Sequence, residues 1–246
     1  MALLGVIGGS GLYGLTEKGP AEAGPVSTPW GPTSGPVVVS EVGSGIAFVA
    51  RHGTDHSIAP HRVNYRANVH ALREAGCDRI LAVSSVGGIA PACAPGVLVL
   101  PDQLIDYSWG REHTYCGRTE FPLQHVEFTM PFSAPLREQL SSAAHRAGIS
   151  LRSVGTYGVT QGPRLETAAE IDRMERDGCD LVGMTAMPEA GLARELGISY
   201  AICCVVVNQA AGRSPSGVGI HTEIAAHLAA GLSQAEALVQ AFLRAN

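Results

Sequence analysis

The sequence predicts an α/β domain built on a mixed, largely parallel sheet flanked by helices. Short apolar runs of strand length, many rich in Val and Ile, recur from residue 3 to Asn208 and alternate with stretches of helical periodicity. Several of these runs are apolar at every position rather than at every second one, as strands covered on both faces are. The 246 residues are 46% hydrophobic and 16% charged, with no linker, charge block or low-complexity tract. One domain over 1–246 with a large core is therefore expected.

The first run, 3–7, leads into Gly9-Ser10-Gly11-Leu12-Tyr13-Gly14, which has the spacing G-x-G-x-x-G. A dinucleotide site would need a helix opening inside the glycines and an acidic residue about 20 positions further on. Instead Gly19, Pro20, Gly24, Pro25, Pro29, Gly31, Pro32, Gly35 and Pro36 follow, and no Asp or Glu lies between Glu22 and Glu41. A strand ending in a glycine-rich turn is expected, with backbone N–H groups and the Ser10 hydroxyl open to an anion. Further strands are expected at 37–42, 46–51, 80–85, 97–100, 154–159 and 200–208. Helices are expected at 64–75, where Tyr65, Val69 and Leu72 share a stripe, and at 136–147, 167–176, 188–196 and 222–245. Thr167 followed by Glu170 has the pattern of a capping box.

Composition also narrows the function. A net charge of -5 with scattered Lys and Arg offers no basic groove, so no nucleic-acid partner is expected. The chain begins without a basic segment ahead of an apolar one, and no apolar run approaches about 20 residues. No membrane association is expected, and a cytoplasmic location is. Cys77, Cys93, Cys116, Cys179, Cys203 and Cys204 include no C-x-x-C pair and read as small hydrophobes rather than as a metal or redox site.

Ligands of open α/β sheets gather at the carboxyl ends of strands. The expected strand ends carry Ser10 and Gly11, Arg51 and His52, Ser84 to Gly87, Gln161 to Glu166, Met184 and Thr185, and Asn208. Ser10, Arg51, His52, the backbone at Ser85 and Val86, and Thr185 together offer donors suited to a tetrahedral oxyanion. Each alone has an ordinary structural explanation, as a turn hydroxyl or a solvated side chain. Their common placement points to a site.

At these positions GGSGLYG, RHGTDH followed by NYRAN, SSVGGI, QGPRLET and GMTAMPE occur in order. With this spacing the sequence resembles the purine nucleoside phosphorylase and methylthioadenosine phosphorylase family, in its trimeric branch, over nearly the whole chain. The resemblance implies that the anion is inorganic phosphate, a co-substrate, held by Ser10, Arg51, His52, Ser85, Val86 and Thr185, with Met184 along the ribose. No cofactor and no metal are implied. Phosphate is then the nucleophile, and the protein orients it and stabilises the departing base, with His52, Glu166 and Asn208 in the catalytic set.

Relatives that cleave methylthioadenosine carry two Asp residues where this chain has Asn208 and Ala210, whereas phosphorylases of 6-oxopurine nucleosides carry a glutamate and an asparagine at the positions of Glu166 and Asn208. A carboxylate accepts the N1–H of a 6-oxopurine, whereas adenine presents a bare lone pair there. The resemblance thus implies phosphorolysis of inosine and guanosine, in purine salvage, with phosphorolysis of 5′-methylthioinosine (or methylthioadenosine) as the alternative. His221, in GIHTEIAAH, is expected to meet a 5′-hydroxyl. His125, in QHVEFTMPF, is expected to reach a neighbouring subunit's sugar pocket in a homotrimer. Hydrolytic nucleosidases and a purine-binding module are competing readings that a phosphate requirement excludes.

Overall fold

A computed structural model describes residues 3–16, 24–40, 45–214 and 218–245. Their strands in chain order are β1 (Leu3–Gly8), β2 (Ser27–Thr28), β3 (Gly31–Pro32), β4 (Val37–Ser40), β5 (Ile46–Ala50), β6 (Cys77–Gly88), β7 (Leu98–Val99), β8 (Gln103–Asp106), β9 (Leu151–Arg152), β10 (Thr156–Val159), β11 (Leu181–Gly183) and β12 (Ser199–Gln209). The helices are α1 (Tyr65–Glu74), α2 (Ala134–Arg146), α3 (Ala168–Arg176), α4 (Ala186–Glu195) and α5 (Ile220–Ala245), with 3₁₀ turns at Ser10–Leu15 and Pro60–Arg62. Positions 41 and 42 of the strand expected at 37–42 lie outside the described residues. The expected helices all form, and Thr167 and Glu170 close the capping box at the start of α3.

Among the described residues, all strands but β2 and β3 join one sheet, along the path β4-β5-β1-β6-β11-β10-β8, with β12 also beside β6. Neighbours β1–β5, β1–β6, β6–β12, β8–β10 and β10–β11 run parallel. The alternation along β12 shows why its run reads as continuously apolar. Tyr200, Ile202, Cys204 and Val206 face the layer holding α1 and α4, while Ala201, Cys203, Val205 and Val207 face the layer holding α2 and α5. Cys203 and Cys204 are thus buried on opposite faces, and burial pushes the Cys203 thiol up to about 12. Cys116 alone of the six is only half-buried.

Two features of this sheet aim side chains at one place. Strand β6 outruns the expected 80–85: its last residues leave β1 and pair antiparallel with β11, Gly87 opposite Val182 and Gly88 opposite Leu181. The ends of β1, β5, β6, β11 and β12 therefore converge. On β12 the register with β6 slips between Val206 and Asn208, a bulge that places Asn208 opposite Gly87.

The opening glycines have a packing role. Their strand ends in a 3₁₀ turn rather than an open loop, and a Cβ on Gly11 would lie 3.2 Å from Leu232 and one on Gly14 2.9 Å from Glu236. Small residues let this turn lie against α5, and so fix which side of α5 faces the sheet ends.

Candidate active site

The converging strand ends enclose a cavity of about 680 Å³, a volume suited to a nucleoside-sized ligand. Its walls include Ser10 after β1, Arg51 and His52 after β5, Ser84 to Gly87 on β6, Glu166 on the loop after β10, Met184 and Thr185 after β11, and Asn208 on β12. The sequence-expected residues Ser10, Arg51, His52, Ser85, Val86, Thr185, Met184, Glu166 and Asn208 are thus brought to one cavity. His125 and His221 are not.

Arg51 is 2% exposed and its donors are largely committed. Nε donates to Glu189 Oε1 at 2.5 Å and Nη2 to Glu189 Oε2 at 3.1 Å; Nη2 also donates to the Ile7 carbonyl at 3.3 Å and Nη1 to the Val83 carbonyl at 3.0 Å. A guanidinium has five N–H groups, so these contacts leave one on Nη1. Glu189 is fully buried and also accepts from the Tyr200 hydroxyl at 2.9 Å. The sequence places Arg51 among the donors suited to an anion. The structure makes it half of a buried ion pair that presents little net charge to the cavity. Glu189 was visible only as the last letter of GMTAMPE, and its partner lies 138 positions away.

His52 also differs from expectation. Its Nδ1 lies 2.8 Å from the Ile58 carbonyl. A carbonyl only accepts, so Nδ1 carries the proton and Nε2 is left as the ring's acceptor when neutral. Burial, Arg51 and His56 together lower its pKa to about 4, against a smaller rise from the Ile58 contact. Near neutral pH His52 therefore offers the cavity a lone pair, which suits a P–O–H group rather than a bare oxyanion.

Hydroxyls supply the remaining polar surface. Thr185 and Ser84 share a hydrogen bond of 3.1 Å, which fixes both, while Ser85 on the next residue of β6 remains exposed to the cavity. From sequence Ser84 is one polar residue at a strand end; its pairing with Thr185 across 101 positions is tertiary information. At the other end, Glu166 Oε1 accepts from the Thr160 hydroxyl at 2.7 Å, and Asn208 donates one amide hydrogen to the Gln209 carbonyl at 2.7 Å. Each retains polar capacity: the second carboxylate oxygen of Glu166, and the other N–H and the Oδ1 of Asn208.

The third wall comes from α5. Ile220, Ile224, Leu228 and Leu232 line the cavity at four-residue spacing, one stripe of the helix. His221 is one position off that stripe, on the exposed side. His221, expected to meet a 5′-hydroxyl, stands outside the lining of this cavity: a rotation of about 100° per residue carries it away from the wall that Ile220 forms. His125 is likewise exposed and outside the cavity.

The model of the phosphorylase superfamily matches residues 3–244. The chain belongs to that superfamily. This phosphorylase is 53% identical over 210 residues to a probable S-methyl-5′-thioinosine phosphorylase of Xanthomonas campestris pv. campestris, covering 85% of this chain and 84% of that one. It is 44% identical over 247 aligned positions, covering both chains fully, to a protein of the same description from Pseudomonas syringae pv. tomato. It is also 44% identical over 220 residues to the 6-oxopurine nucleoside phosphorylase of Pyrococcus furiosus, covering 87% and 82% of the two chains. Among solved structures, it is similar to methylthioadenosine phosphorylase from Schistosoma mansoni in complex with adenine, with a TM-score of 0.89, 31% identity and coverage of 98% and 91%. The α/β architecture expected from the sequence is that of nucleoside phosphorylases. No helix among the described residues of the phosphorylase is long and apolar enough to cross a membrane.

Proposed function

We propose that this phosphorylase cleaves S-methyl-5′-thioinosine with inorganic phosphate, giving hypoxanthine and 5-methylthioribose 1-phosphate. The observation that carries the reading is the apolar α5 wall of Ile220, Ile224, Leu228 and Leu232, with His221 turned away from it. A nucleoside presents three ends to its site. If Glu166 and Asn208 take the base, and Ser10, His52, Ser85, Val86 and Thr185 take the phosphate, the 5′ substituent falls to the apolar wall. A methylthio group is satisfied there, whereas a hydroxyl loses its water without gaining a partner, at a cost of about 1–3 kcal/mol. The similarity to proteins described as S-methyl-5′-thioinosine phosphorylases supports the same choice. It replaces the preference for inosine and guanosine drawn from the sequence.

In this reading a phosphate oxygen attacks C1′ as the C1′–N9 bond breaks, and no cofactor is needed. Hydrogenphosphate donates its P–O–H hydrogen to His52 Nε2 while its other oxygens accept from Ser10, Ser85, Thr185 and the remaining Arg51 Nη1–H. The base leaves protonated at N7, where Asn208 Oδ1 accepts, and the free Glu166 oxygen accepts N1–H. The proton gained by the base balances the one that the phosphate ester releases. A homotrimer in which His125 enters a neighbouring subunit's sugar pocket belongs to the same proposal.

The test is phosphate-dependent base release from S-methyl-5′-thioinosine, inosine, guanosine and methylthioadenosine. The expected kcat/KM for S-methyl-5′-thioinosine exceeds that for inosine by one to two orders of magnitude, as about 1–3 kcal/mol requires. Preference for inosine would overturn the assignment of the α5 wall, and preference for methylthioadenosine would overturn that of Glu166 and Asn208.

A further inference from the structure

Arg111 does not line the cavity, yet it is buried and touches the segments that form two of its walls. Its Nη1 donates to the carbonyls of Met184 at 2.8 Å and Met187 at 2.6 Å. Its Nη2 donates to the carbonyls of Thr160 and Gln161, both at 2.9 Å, and its Nε to the Gln161 side-chain oxygen at 3.1 Å. The guanidinium lies 5.5 Å from the centre of the Tyr65 ring, with Nη1 3.4 Å from the hydroxyl. None of the ion pairs among the described residues includes Arg111. Burying a cation without a carboxylate is costly unless its hydrogen bonds are met, and here carbonyl oxygens meet them.

The positions of those carbonyls matter. Thr160 and Gln161 directly follow β10, and the Thr160 hydroxyl holds Glu166; Met184 and Met187 bracket the turn between β11 and the body of α4, where Met187 departs from helical backbone angles. One planar group thus ties the base end of the cavity to the turn beside the ribose. We propose that Arg111 is a positioning residue for nucleoside binding, setting the separation between Glu166 and Met184 without touching substrate. The roles of Glu166 and Met184 rest on the function proposed above. Thr185 lies within the same turn, but its side chain has a second hold in the Ser84 hydroxyl, and Arg51 is held by Glu189 rather than by Arg111. A lysine has three donors without the planar fork and reproduces only part of this bracing.

The experiment measures KM for S-methyl-5′-thioinosine and for phosphate, with kcat per titrated active site, in wild type, Arg111→Lys and Arg111→Met. The expected result is a rise of at least tenfold in nucleoside KM for Arg111→Met, with phosphate KM changed less than threefold and Arg111→Lys between the two enzymes. A loss confined to the number of active sites, with both KM values unchanged, would show a merely structural role and overturn the proposal. An equal rise in both KM values would overturn it too. If Arg111→Met does not fold, Arg111→Lys decides by the same split. If wild type prefers another nucleoside, the function proposed above fails, and the split measured with the preferred nucleoside still decides the role of Arg111.

Discussion

Glu189→Gln tests the buried Arg51–Glu189 pair beside the cavity most directly. The substitution keeps side-chain volume but removes the charge that faces Arg51 at 2.5 and 3.1 Å. Both residues are almost wholly excluded from water, so Arg51 keeps its proton and loses its counter-charge. The amide also turns a donor toward a site surrounded by donors, Arg51 and the Tyr200 hydroxyl among them. Breaking one side of a buried pair costs about 3–5 kcal/mol. At about 2–4 °C per kcal/mol for a domain of this size, Tm should fall by roughly 6–20 °C. A domain with about 5–15 kcal/mol of stability survives that loss near room temperature, so folded variant can be assayed. Arg51 then has an anion in the cavity as its nearest opposite charge, so added phosphate should raise Tm more in the variant than in wild type. The measurement is thermal unfolding with and without phosphate, with Tyr200→Phe as a milder comparison that removes one hydrogen bond. A Tm loss below 3 °C, or a phosphate gain no larger than that of wild type, would refute the view that Glu189 compensates Arg51.

Two further outcomes follow from the geometry. The pKa of His52 falls from 6.5 to about 4 on folding, so between those values the unfolded chain binds the extra proton. The stability from keeping His52 neutral is complete above about pH 6.5 and is lost as pH falls toward 4; Tm profiles of wild type and His52→Gln should diverge in that window, and parallel profiles would contradict the assignment. A Cβ on Gly88 would lie 1.8 Å from the Cys93 carbonyl oxygen, so Gly88→Ala should cost several kcal/mol by forcing main chain apart on the strand that carries Ser84 and Ser85. Unfolding within 2 °C of wild type would mean the strand relaxes freely.

The amino-acid order alone determined the alternation of strands and helices, because burial on both faces leaves unbroken apolar runs and helix stripes leave a 3.6-residue period. It also determined which polar residues stand at strand ends, and so most of the cavity: Ser10, His52, Ser85, Thr185, Glu166 and Asn208 were legible because polar groups at those positions interrupt an otherwise apolar chain. Tertiary structure decided how they are used. Arg51 was readable as a cation, but its pairing with Glu189 depends on where α4 packs against α1 and β12, a contact between residues 138 apart that no local pattern encodes. The α5 wall shows the same division at finer scale. Four-residue spacing marks Ile220, Ile224, Leu228 and Leu232 as one face of a helix, while a neighbouring histidine is equally plausible from sequence as the residue that enters a site. Which of them faces the cavity is a matter of helix phase, set by how α5 rests against the turn at Gly11 and Gly14. A single residue of phase separates an imidazole from an isoleucine, and the sequence carries no measure of that phase until the helix is packed.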